Sequence, residues 1–342
     1  MNQIGIARKL KVSQTTVSLV LNNPSTTKVS PEKRHKIMEL MRKTSYLLKA
    51  HNGRTWNIGY VVETGINVQD SFYHRFFDGI QKASEEAGYH VIVDQENIRA
   101  SRLISHNKAD GIILEDNFSD IGGIKNLSRE IPLVLLNCSP MALLCDMVVP
   151  DNQGGIIKAL NHLIGLGHSK IALLAVLAPG CKLDGLSRDR KEAFENESKL
   201  MGLAISHDYI KIPAIKAVSI EETDKVISAT LSFWMKLPEP PTAVICCGDI
   251  YAALLLRAAA EKNIKVPGQL SVIGTDNTNE CKYTYPALTS IDHNAAEMGR
   301  LAVELLLKRI SNPERAYVRI SCDATLAIRK STGPLLPISP QT

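Results

Sequence analysis

A short run of polar side chains near the amino terminus has the types and the spacing needed to read the edges of DNA bases. Gln14 can donate a hydrogen bond to a base and accept one from it, and Thr15 can contact a thymine methyl group. Ser13 precedes them and is a good N-cap, because its hydroxyl accepts from the free amides of a first helical turn. The run therefore predicts a helix that presents small polar groups to the major groove.

A second candidate is an acidic residue at the end of an apolar strand-like run. Asp276 follows the run that begins at Leu270. Open α/β sheets bind ligands outside the carboxyl ends of their strands, so this position favours a ligand contact. The alternative is a turn residue before Asn277.

The apolar residues around the first run follow helical spacing and predict three short helices, the first two tightly joined as in a helix-turn-helix. The third helix opens at Ser30-Pro31, a cap followed by a proline at the first helical position, and runs to about Lys43. The predicted core-facing residues are Ile6, Leu10, Val17, Val20, Leu21, Ile37, Leu40 and Met41. The opposite face of the second helix presents Gln14, Thr15, Ser18, Leu19 and Asn22.

The charge of the chain is unevenly distributed. Residues 1–55 contain 11 Lys or Arg against Glu32 and Glu39, a net charge of +9, whereas the remainder holds 29 basic and 33 acidic residues, a net charge of −4. A small basic head on a mildly acidic body is typical of a phosphate-binding module joined to another domain. A basic surface without a partner is the alternative.

From Asn57 onward, strand-like apolar runs alternate with helical stretches, which predicts parallel sheets of the doubly wound type. Roughly 280 residues of this pattern exceed one typical lobe, so two similar lobes are expected.

Composition and motifs limit the class of protein. Hydrophobic residues make up 44% and charged residues 22% of the 342 residues, an ordinary globular mixture. No apolar run reaches the ~20 residues of a membrane span, and the amino terminus lacks the pattern of a signal peptide. The seven scattered cysteines favour reduced, buried thiols and no metal or disulfide. We therefore expect a cytoplasmic protein without membrane contact or cofactor.

Two other functional classes are weighed against these features. An enzyme is not expected, because no Gly-rich phosphate loop, nucleophile elbow or HExxH string occurs. The adjacent Cys246 and Cys247 are expected on opposite faces of a strand, which is not a catalytic arrangement. A transport-type binding protein is disfavoured by the basic head and the missing signal peptide.

The run from Ile6 to Asn23, IARKLKVSQTTVSLVLNN, resembles the headpiece of the lactose-repressor/galactose-repressor (LacI/GalR) family, and the segment from Val29 to Tyr46 continues the match. The resemblance implies that Gln14 and Thr15 read bases. Phosphate-holding roles are implied for Ser13, Thr16, Ser18 and Asn22, with the groove-facing Leu19 and the cap Ser30 completing the predicted DNA-binding set.

Five strings in the body continue the resemblance in order: DGIIL at 110–114, DNQGG at 151–155, HLIGLGH at 162–168, SVIGTD at 271–276 and LAIRKST at 326–332. Such bodies are similar to periplasmic sugar-binding proteins, with three crossings between the lobes and a ligand in the cleft. The resemblance implies that Arg190 and Asp276 bind the effector, as a forked donor and an acceptor.

The predicted effector-binding set is completed by Phe72, Tyr73, Asp151 and His293. Alternatives stay open for several of these residues. Arg190 can pair with Glu195 or another surface acid, Phe72 can be a core residue and Asp151 can be only a helix cap.

The chain departs from the family pattern at several positions. Leu19 stands where some relatives carry an arginine that reads guanine. The hinge pattern YxPNxxARxL is missing, since the chain reads YLLKAHNGRT from Tyr46 and reaches the next strand early. In the body, Gly248 and His293 replace a commonly seen asparagine and glutamine. The hinge-based switch and the identity of the ligand are therefore left open.

The predicted architecture is an all-α helix-turn-helix headpiece (1–46), a shortened linker (47–56) and an α/β two-lobed, periplasmic-binding-protein-like domain (57–342). Lobe 1 is expected at about 57–150 and 293–320, and lobe 2 at about 151–292 and 321–335. The expected function is a homodimeric repressor that binds a palindromic double-stranded operator and responds to a small effector, sugar-like as first choice and purine-like as second. The alternative is a cytoplasmic sensor whose DNA binding is weak or ligand-independent because of the short hinge.

Overall fold

The computed structural model describes residues 3–22, 28–43, 55–62, 71–94, 103, 108–115, 121–139, 145–177, 185–216 and 219–335. The helices are α1 Gln3–Leu10, α2 Gln14–Asn22, α3 Pro31–Lys43, α4 Ser71–Glu86, α5 Ile121–Glu130, α6 Asn152–Gly165, α7 Gly185–Leu200, α8 Ile220–Trp234, α9 Asp249–Glu261 and α10 Ala295–Ser311. The strands are β1 Asn57–Val62, β2 His90–Asp94, β3 Gly111–Glu115, β4 Leu133–Leu136, β5 Asp146–Pro150, β6 Ile171–Leu174, β7 Ile210–Lys211, β8 Ala243–Cys246, β9 Ser271–Thr275, β10 Thr289–Asp292, β11 Arg319–Cys322 and β12 Thr325–Ala327.

The first three helices pack around a small apolar core of their own. Its buried residues are Ile6, Ala7, Val17, Val20, Val29 and Ile37, with Leu10 and Leu40 partly buried against them. The turn between α1 and α2 is closed by a hydrogen bond from Val12 N to Ala7 O (3.0 Å). Lys11 adopts a φ of 51°, a left-handed conformation that lets the chain reverse within three residues. Leu21 and Met41 were also predicted for this core, and their side chains lie outside the described part.

The chain divides into two compact units. The first comprises Met1–Val68, Phe77–Val148 and Gly299–Ile320, and the second comprises Gln69–Phe76, Val149–Met298 and Ser321–Thr342. Each unit is built on a six-stranded sheet. The strand order is β11-β5-β4-β3-β1-β2 in the first sheet and β12-β10-β9-β8-β6-β7 in the second.

The second sheet is covered on both faces, as a doubly wound sheet requires. Val244 and Cys246 point to the face that packs against α8 and α9. Their neighbours Ile245 and Cys247 point to the other face, which packs against α6 and α7. The prediction that Cys246 and Cys247 face opposite sides is therefore confirmed.

The predicted fold class is confirmed, with one local difference. Most pairs of neighbouring strands run parallel, but β12 runs antiparallel to β10. The two residues between β11 and β12 join the first sheet to the second, so they do not set the direction of β12 against β10. The strict alternation predicted from the sequence does not extend past β9, because no α-helix separates β9 from β10 or β11 from β12.

The described cysteines, which exclude Cys181, are buried and free of disulfides. None of the helices in the described part of the chain combines the length and the apolar character that a membrane crossing requires.

Candidate functional site

The amino terminus of α2 is fixed by the side chain that the sequence predicted as its cap. The hydroxyl of Ser13 accepts a hydrogen bond from Thr16 N (3.0 Å) and shares another with the Thr16 hydroxyl (2.7 Å). Ser13 O also accepts from Val17 N (3.2 Å). The first turn of α2 is therefore held in one geometry, and the residues inside it have a defined direction.

The predicted base-reading residues lie on the solvent side of this turn. Gln14 and Thr15 are exposed, Ser18 is half-buried, and Leu19 keeps 37% of its surface exposed. Asn22 is the last residue of α2, and its side chain lies outside the described part. An exposed polar face on a helix whose other face is buried is the arrangement that major-groove binding needs.

The start of α3 offers a second group of polar and basic side chains. Ser30 is exposed, and its carbonyl oxygen accepts from Arg34 N (2.9 Å) in the first turn. Lys36 pairs with Glu32 one turn earlier (2.6 Å), and the exposed Lys33 lies between them in the sequence. This helix start is suited to phosphate groups, because free backbone amides and positive charge lie together.

In the second unit, three neighbouring strands end in polar groups. β10, β9 and β8 are adjacent in the sheet and run parallel. They are followed by His293, Asp276 and Cys247, respectively. The carboxyl ends of parallel strands meet at one edge, which is where ligands bind in this type of sheet. We call this place the carboxyl edge of the second sheet.

Arg190 reaches this edge from α7 and is buried. Its Nε donates to Asn152 Oδ1 (2.9 Å) and its Nη1 donates to Cys247 O (2.9 Å). Its Nη2 lies 3.7 Å from Asp276 Oδ1, so the two residues predicted to bind the effector form an ion pair. The alternative pairing with Glu195 is wrong, since Lys191 takes that partner (2.6 Å).

The backbone at Asp276 and Asn277 is held in a left-handed conformation that residues other than glycine rarely adopt. Their φ angles are 108° and 49°. Arg75, near the start of α4, donates from Nη1 to both carbonyl oxygens (2.7 and 2.9 Å) and pairs through Nη2 with Asp292 (3.1 Å). Strained backbone persists only where its surroundings over-determine it, and Arg75 supplies much of that constraint here.

Asn277 is held by side chains as well. Its amide nitrogen donates to Asp292 Oδ2 (2.8 Å), and its amide oxygen accepts from Arg329 Nη2 (2.6 Å). The same loop is tied to α9 by Asp249, which accepts from Thr278 N (2.7 Å) and from the Ser290 hydroxyl. Burial raises the pKa of Asp249. The loop that carries Asp276 is thus fixed from several elements.

His293 is the least satisfied polar residue at this edge. Its side chain is only 5% exposed, and neither ring nitrogen has a hydrogen-bond partner among the described residues. Its ring lies against Gly155 in the first turns of α6, where a Cβ would come within 3.3 Å of His293 Cε1. Burial, and after it the positive charge of Arg190, lower the pKa of His293 to about 3.

The remaining predicted effector residues, Asp151, Phe72 and Tyr73, have no hydrogen bond to Arg190, Asp276 or His293 among those described above. Asp151 is the N-cap of α6, and its Oδ1 accepts from Gly154 N (2.9 Å), which is the cap role left open by the sequence. Phe72 and Tyr73 are half-buried in the first turn of α4, with ring centroids 5.1 Å apart. Phe72 also lies edge-on to the buried Phe76. Contacts of Phe72 and Tyr73 with a ligand remain a prediction.

The first unit has a buried polar cluster that the sequence did not reveal. Glu115 ends β3 and is buried. Its carboxyl group accepts from the Tyr60 hydroxyl and from Asn137 Nδ2 (3.2 Å). Burial raises the pKa of Glu115 to about 7, against the hydrogen bonds from Tyr60 and Asn137 that lower it. This cluster lies at the carboxyl edge of its own sheet.

Asn152 and Arg75 were also missed, for the same reason as this cluster. Their partners are separated from them by 38 and by about 200 positions in the sequence, respectively. Only the fold brings such residues together, so no local spacing could have indicated them.

Comparison with known proteins agrees with this architecture. Residues 5–47 match the profile of bacterial regulatory proteins of the lacI family, and residues 160–332, about half of the chain, match the periplasmic binding protein-like domain. The ribose operon repressor of Haemophilus influenzae is 27% identical over 341 residues, covering 95% of this chain and 97% of the relative. The curated relatives matched in this way include transcriptional repressors.

Two solved structures illustrate the fold. A LacI family transcriptional regulator from Enterococcus faecium with bound ribose is 25% identical, covers 82% of this chain and 100% of its own, and has a TM-score of 0.67. The lac repressor dimer bound to operator and the anti-inducer ONPF is 21% identical, covers 96% and 98%, and also has a TM-score of 0.67. In this chain the headpiece matched by the lacI profile precedes the two-sheet body, in which the binding-protein profile matches. The chain therefore belongs to the lacI family of bacterial regulatory proteins and is a DNA-binding transcription regulator.

Proposed function

We propose that this regulator is a repressor that binds a palindromic operator as a homodimer and changes its operator affinity when a small polyhydroxylated effector binds at the carboxyl edge of the second sheet. The observation that carries the effector half of the proposal is the ion pair between the buried Arg190 and the half-buried Asp276. A buried guanidinium and a carboxylate at the ends of neighbouring elements offer donors and acceptors in fixed positions.

The DNA-binding half rests on α2. Gln14 and Thr15 would contact base edges, and Ser13, Thr16, Ser18, Asn22 and Ser30 would hold phosphates together with the basic residues of the headpiece. Leu19 is exposed beside them and would make an apolar contact with a thymine methyl group. A single headpiece buries too little surface for strong specificity, and two-fold symmetry doubles it.

A sugar is the first choice of effector. The ribose-bound regulator from Enterococcus faecium and the ribose operon repressor of Haemophilus influenzae support this class, as does the donor and acceptor set around Arg190. A purine-like ligand is the second choice. We assign no catalytic step to the protein, and we propose that it acts in the cytoplasm.

The first experiment is selection of bound sequences from random duplex DNA with the purified full-length protein, at one salt concentration near physiological. We expect a palindromic consensus with two half-sites. Sequence-independent binding that falls steeply with salt would instead favour the second candidate, a sensor whose shortened linker has cost the headpiece its specificity.

The effector half is tested on the selected operator. Sugars and nucleosides are added to the protein–DNA complex, and the change in DNA affinity is measured. Arg190→Ala and Asp276→Ala should abolish the response while leaving the ligand-free DNA affinity within about twofold, because both residues lie in the body. A response that survives both substitutions would contradict the assignment of the site.

A further inference from the structure

We infer that the effector is an uncharged ligand and that His293 binds it as a neutral imidazole, donating one hydrogen bond from one ring nitrogen and accepting one at the other. This inference rests on the proposed function, since it concerns the same edge of the second sheet. It narrows the effector to a free sugar, polyol or nucleoside and excludes the phosphorylated or carboxylated forms.

The His293 ring lacks hydrogen-bond partners among the described residues. Buried polar groups in folded proteins are nearly always hydrogen-bonded, and one left without a partner destabilises the fold. His293 is 5% exposed and has two such atoms, and no hydrogen bond reaches either of them from the part of the chain that the structure describes. A ligand with a hydroxyl or amide group at each nitrogen removes this cost when it binds.

The ring lies beside the Arg190–Asp276 pair in the sheet. His293 directly follows β10. The adjacent strand, β9, is followed by Asp276, and the next, β8, is followed by Cys247, whose carbonyl oxygen accepts from Arg190. The three strand ends and the guanidinium of Arg190 therefore belong to one edge. A ligand held by the Arg190–Asp276 pair has His293 as a neighbour.

The ring of His293 is uncharged near neutral pH. A buried imidazole loses the hydration that stabilises its protonated form, and Arg190 adds repulsion, so the pKa of His293 falls to about 3. The ring is then neutral throughout the range from pH 5 to pH 8. A neutral imidazole has one donor and one acceptor, whereas the protonated form has two donors.

The charges around the ring bear on the charge of the ligand. In the described part of the chain, the charged groups on the elements that meet this edge include Arg190 on α7, Asp276 after β9, Asp249 on α9, Asp151 at the N-cap of α6, and Arg75 with its partner Asp292. Arg190 already has Asp276 as its counter-ion at 3.7 Å. An anionic ligand would face that carboxylate, and a cationic ligand would face the guanidinium, so an uncharged ligand fits this edge best.

The charge of His293 is tested without any ligand. The imidazole nitrogens of the full-length protein are labelled, and the signals of His293 are identified by their loss in His293→Gln. We expect a neutral ring with a single protonated nitrogen from pH 5 to pH 8. A titration near the ordinary pKa of 6.5 would overturn the inference.

The ligand class is tested with matched pairs in titration calorimetry. D-ribose is compared with D-ribose 5-phosphate, D-glucose with D-glucose 6-phosphate, and adenosine with adenosine monophosphate. We expect binding by a member of the uncharged set, at least tenfold tighter than by its phosphorylated partner. The affinity should be constant from pH 5.5 to pH 8, without proton uptake in buffers of different ionisation enthalpy.

Substitutions at His293 show whether the ring itself contacts the ligand. Gln keeps one donor and one acceptor, so His293→Gln should bind the ligand within about fivefold of the wild type. His293→Leu leaves ligand groups unpaired and should lose about 10- to 100-fold in affinity. His162→Gln is the matched control, because that histidine lies in the last turn of α6 and bonds Thr332 (2.9 Å).

The outcomes separate the inference from the proposed function. Tighter binding of a phosphorylated member, abolished by Arg190→Ala, would keep the proposed function and overturn the inference. Equal affinities of His293→Leu and the wild type, with unchanged melting temperature and DNA affinity, would also overturn it. If none of the six compounds binds or changes operator affinity, the sugar and nucleoside effector of the proposed function falls together with the inference.

Discussion

At the scale of single residues, burial of Glu115 disfavours the ionised form of its carboxyl group. Glu115 is buried against Tyr60 and Asn137, and burial raises the pKa of Glu115 from 4.5 to about 7. Between these two values the folded protein binds one proton more than the unfolded chain. Stability from this group is therefore complete below about pH 4.5 and is lost as the pH rises toward 7, by at most about 1.4 kcal/mol per pH unit.

We predict that Glu115→Gln removes this dependence. Gln keeps an oxygen for Asn137 Nδ2, and its amide can donate to the Tyr60 hydroxyl, which accepts as readily as it donates. The measurement is the urea midpoint of wild type and variant at a series of pH values. The difference between them should grow in favour of the variant from pH 5 to pH 7, and a constant difference would show that Glu115 ionises normally.

A second residue-scale prediction separates base reading from phosphate contact. Gln14→Ala should relax the base preference at one position of each half-site by about 1–3 kcal/mol, because a side chain that bonds a base edge is lost. Lys33→Ala, on the exposed start of α3, should weaken binding to all sequences alike. Both variants are passed through the same selection as the wild type. An unchanged consensus for Gln14→Ala would mean that the reading face of α2 is wrongly assigned.

At the scale of elements, the side chain of Arg75 couples α4 to the proposed effector site. Arg75 clamps the carbonyl oxygens of Asp276 and Asn277, two residues in succession with left-handed φ angles. Arg75→Ala should release this strained turn and reorient the Asp276 carboxylate. We expect effector affinity to fall about tenfold, measured by calorimetry, with operator affinity in the absence of effector nearly unchanged.

The control for this prediction is Arg329→Ala. That residue donates to Asn277 Oδ1 (2.6 Å) and to Leu288 O, but to neither carbonyl oxygen that Arg75 binds. Its loss should cost less effector affinity than the loss of Arg75. Equal losses of effector affinity in the two variants would mean that removing either arginine disturbs the turn to the same extent, and that Arg75 has no special positioning role.

The element scale also shows what could be read from the sequence. The bounds of α3 and the cap of α2 were predictable, because helix starts are fixed by local residues such as Ser13 and Pro31. The pairing of Arg190 with Asp276 was expected only through the family resemblance. The clamp from Arg75 and the direction of β12 were not predictable, since both depend on contacts that the fold makes between distant parts of the chain.

At the scale of the whole molecule, the basic head and the acidic body have different tasks. The net charge of +9 over residues 1–55 supplies attraction to any DNA, and in the proposed function α2 adds the preference among sequences. The body, with a net charge of −4, offers no general attraction to phosphate. Regulation therefore has to act on how the two headpieces of a dimer are held, since the charge of each head does not change when an effector binds.

The spacing of the half-sites in the operator should matter for the same reason. Only residues 44–56 join the end of α3 to the start of β1, and thirteen residues span at most about 45 Å even when fully extended. This limit bounds how far a headpiece can lie from its body, and two-fold symmetry relates the two headpieces of a dimer, so we expect binding to depend on the facing and the spacing of the half-sites. One inserted base pair turns a half-site by about 34° around the duplex and moves it by about 3.4 Å.

We therefore expect operators with one or two base pairs added between the half-sites to bind at least tenfold more weakly than the selected operator, by fluorescence anisotropy at fixed salt. An operator lengthened by a full turn restores the facing of the half-sites but not their separation, and it should remain weak for the same reason. An operator with a single half-site is the reference for one headpiece. If the lengthened operators bind as well as the selected one, the headpieces bind independently of each other, and the body has no means to control them through their spacing.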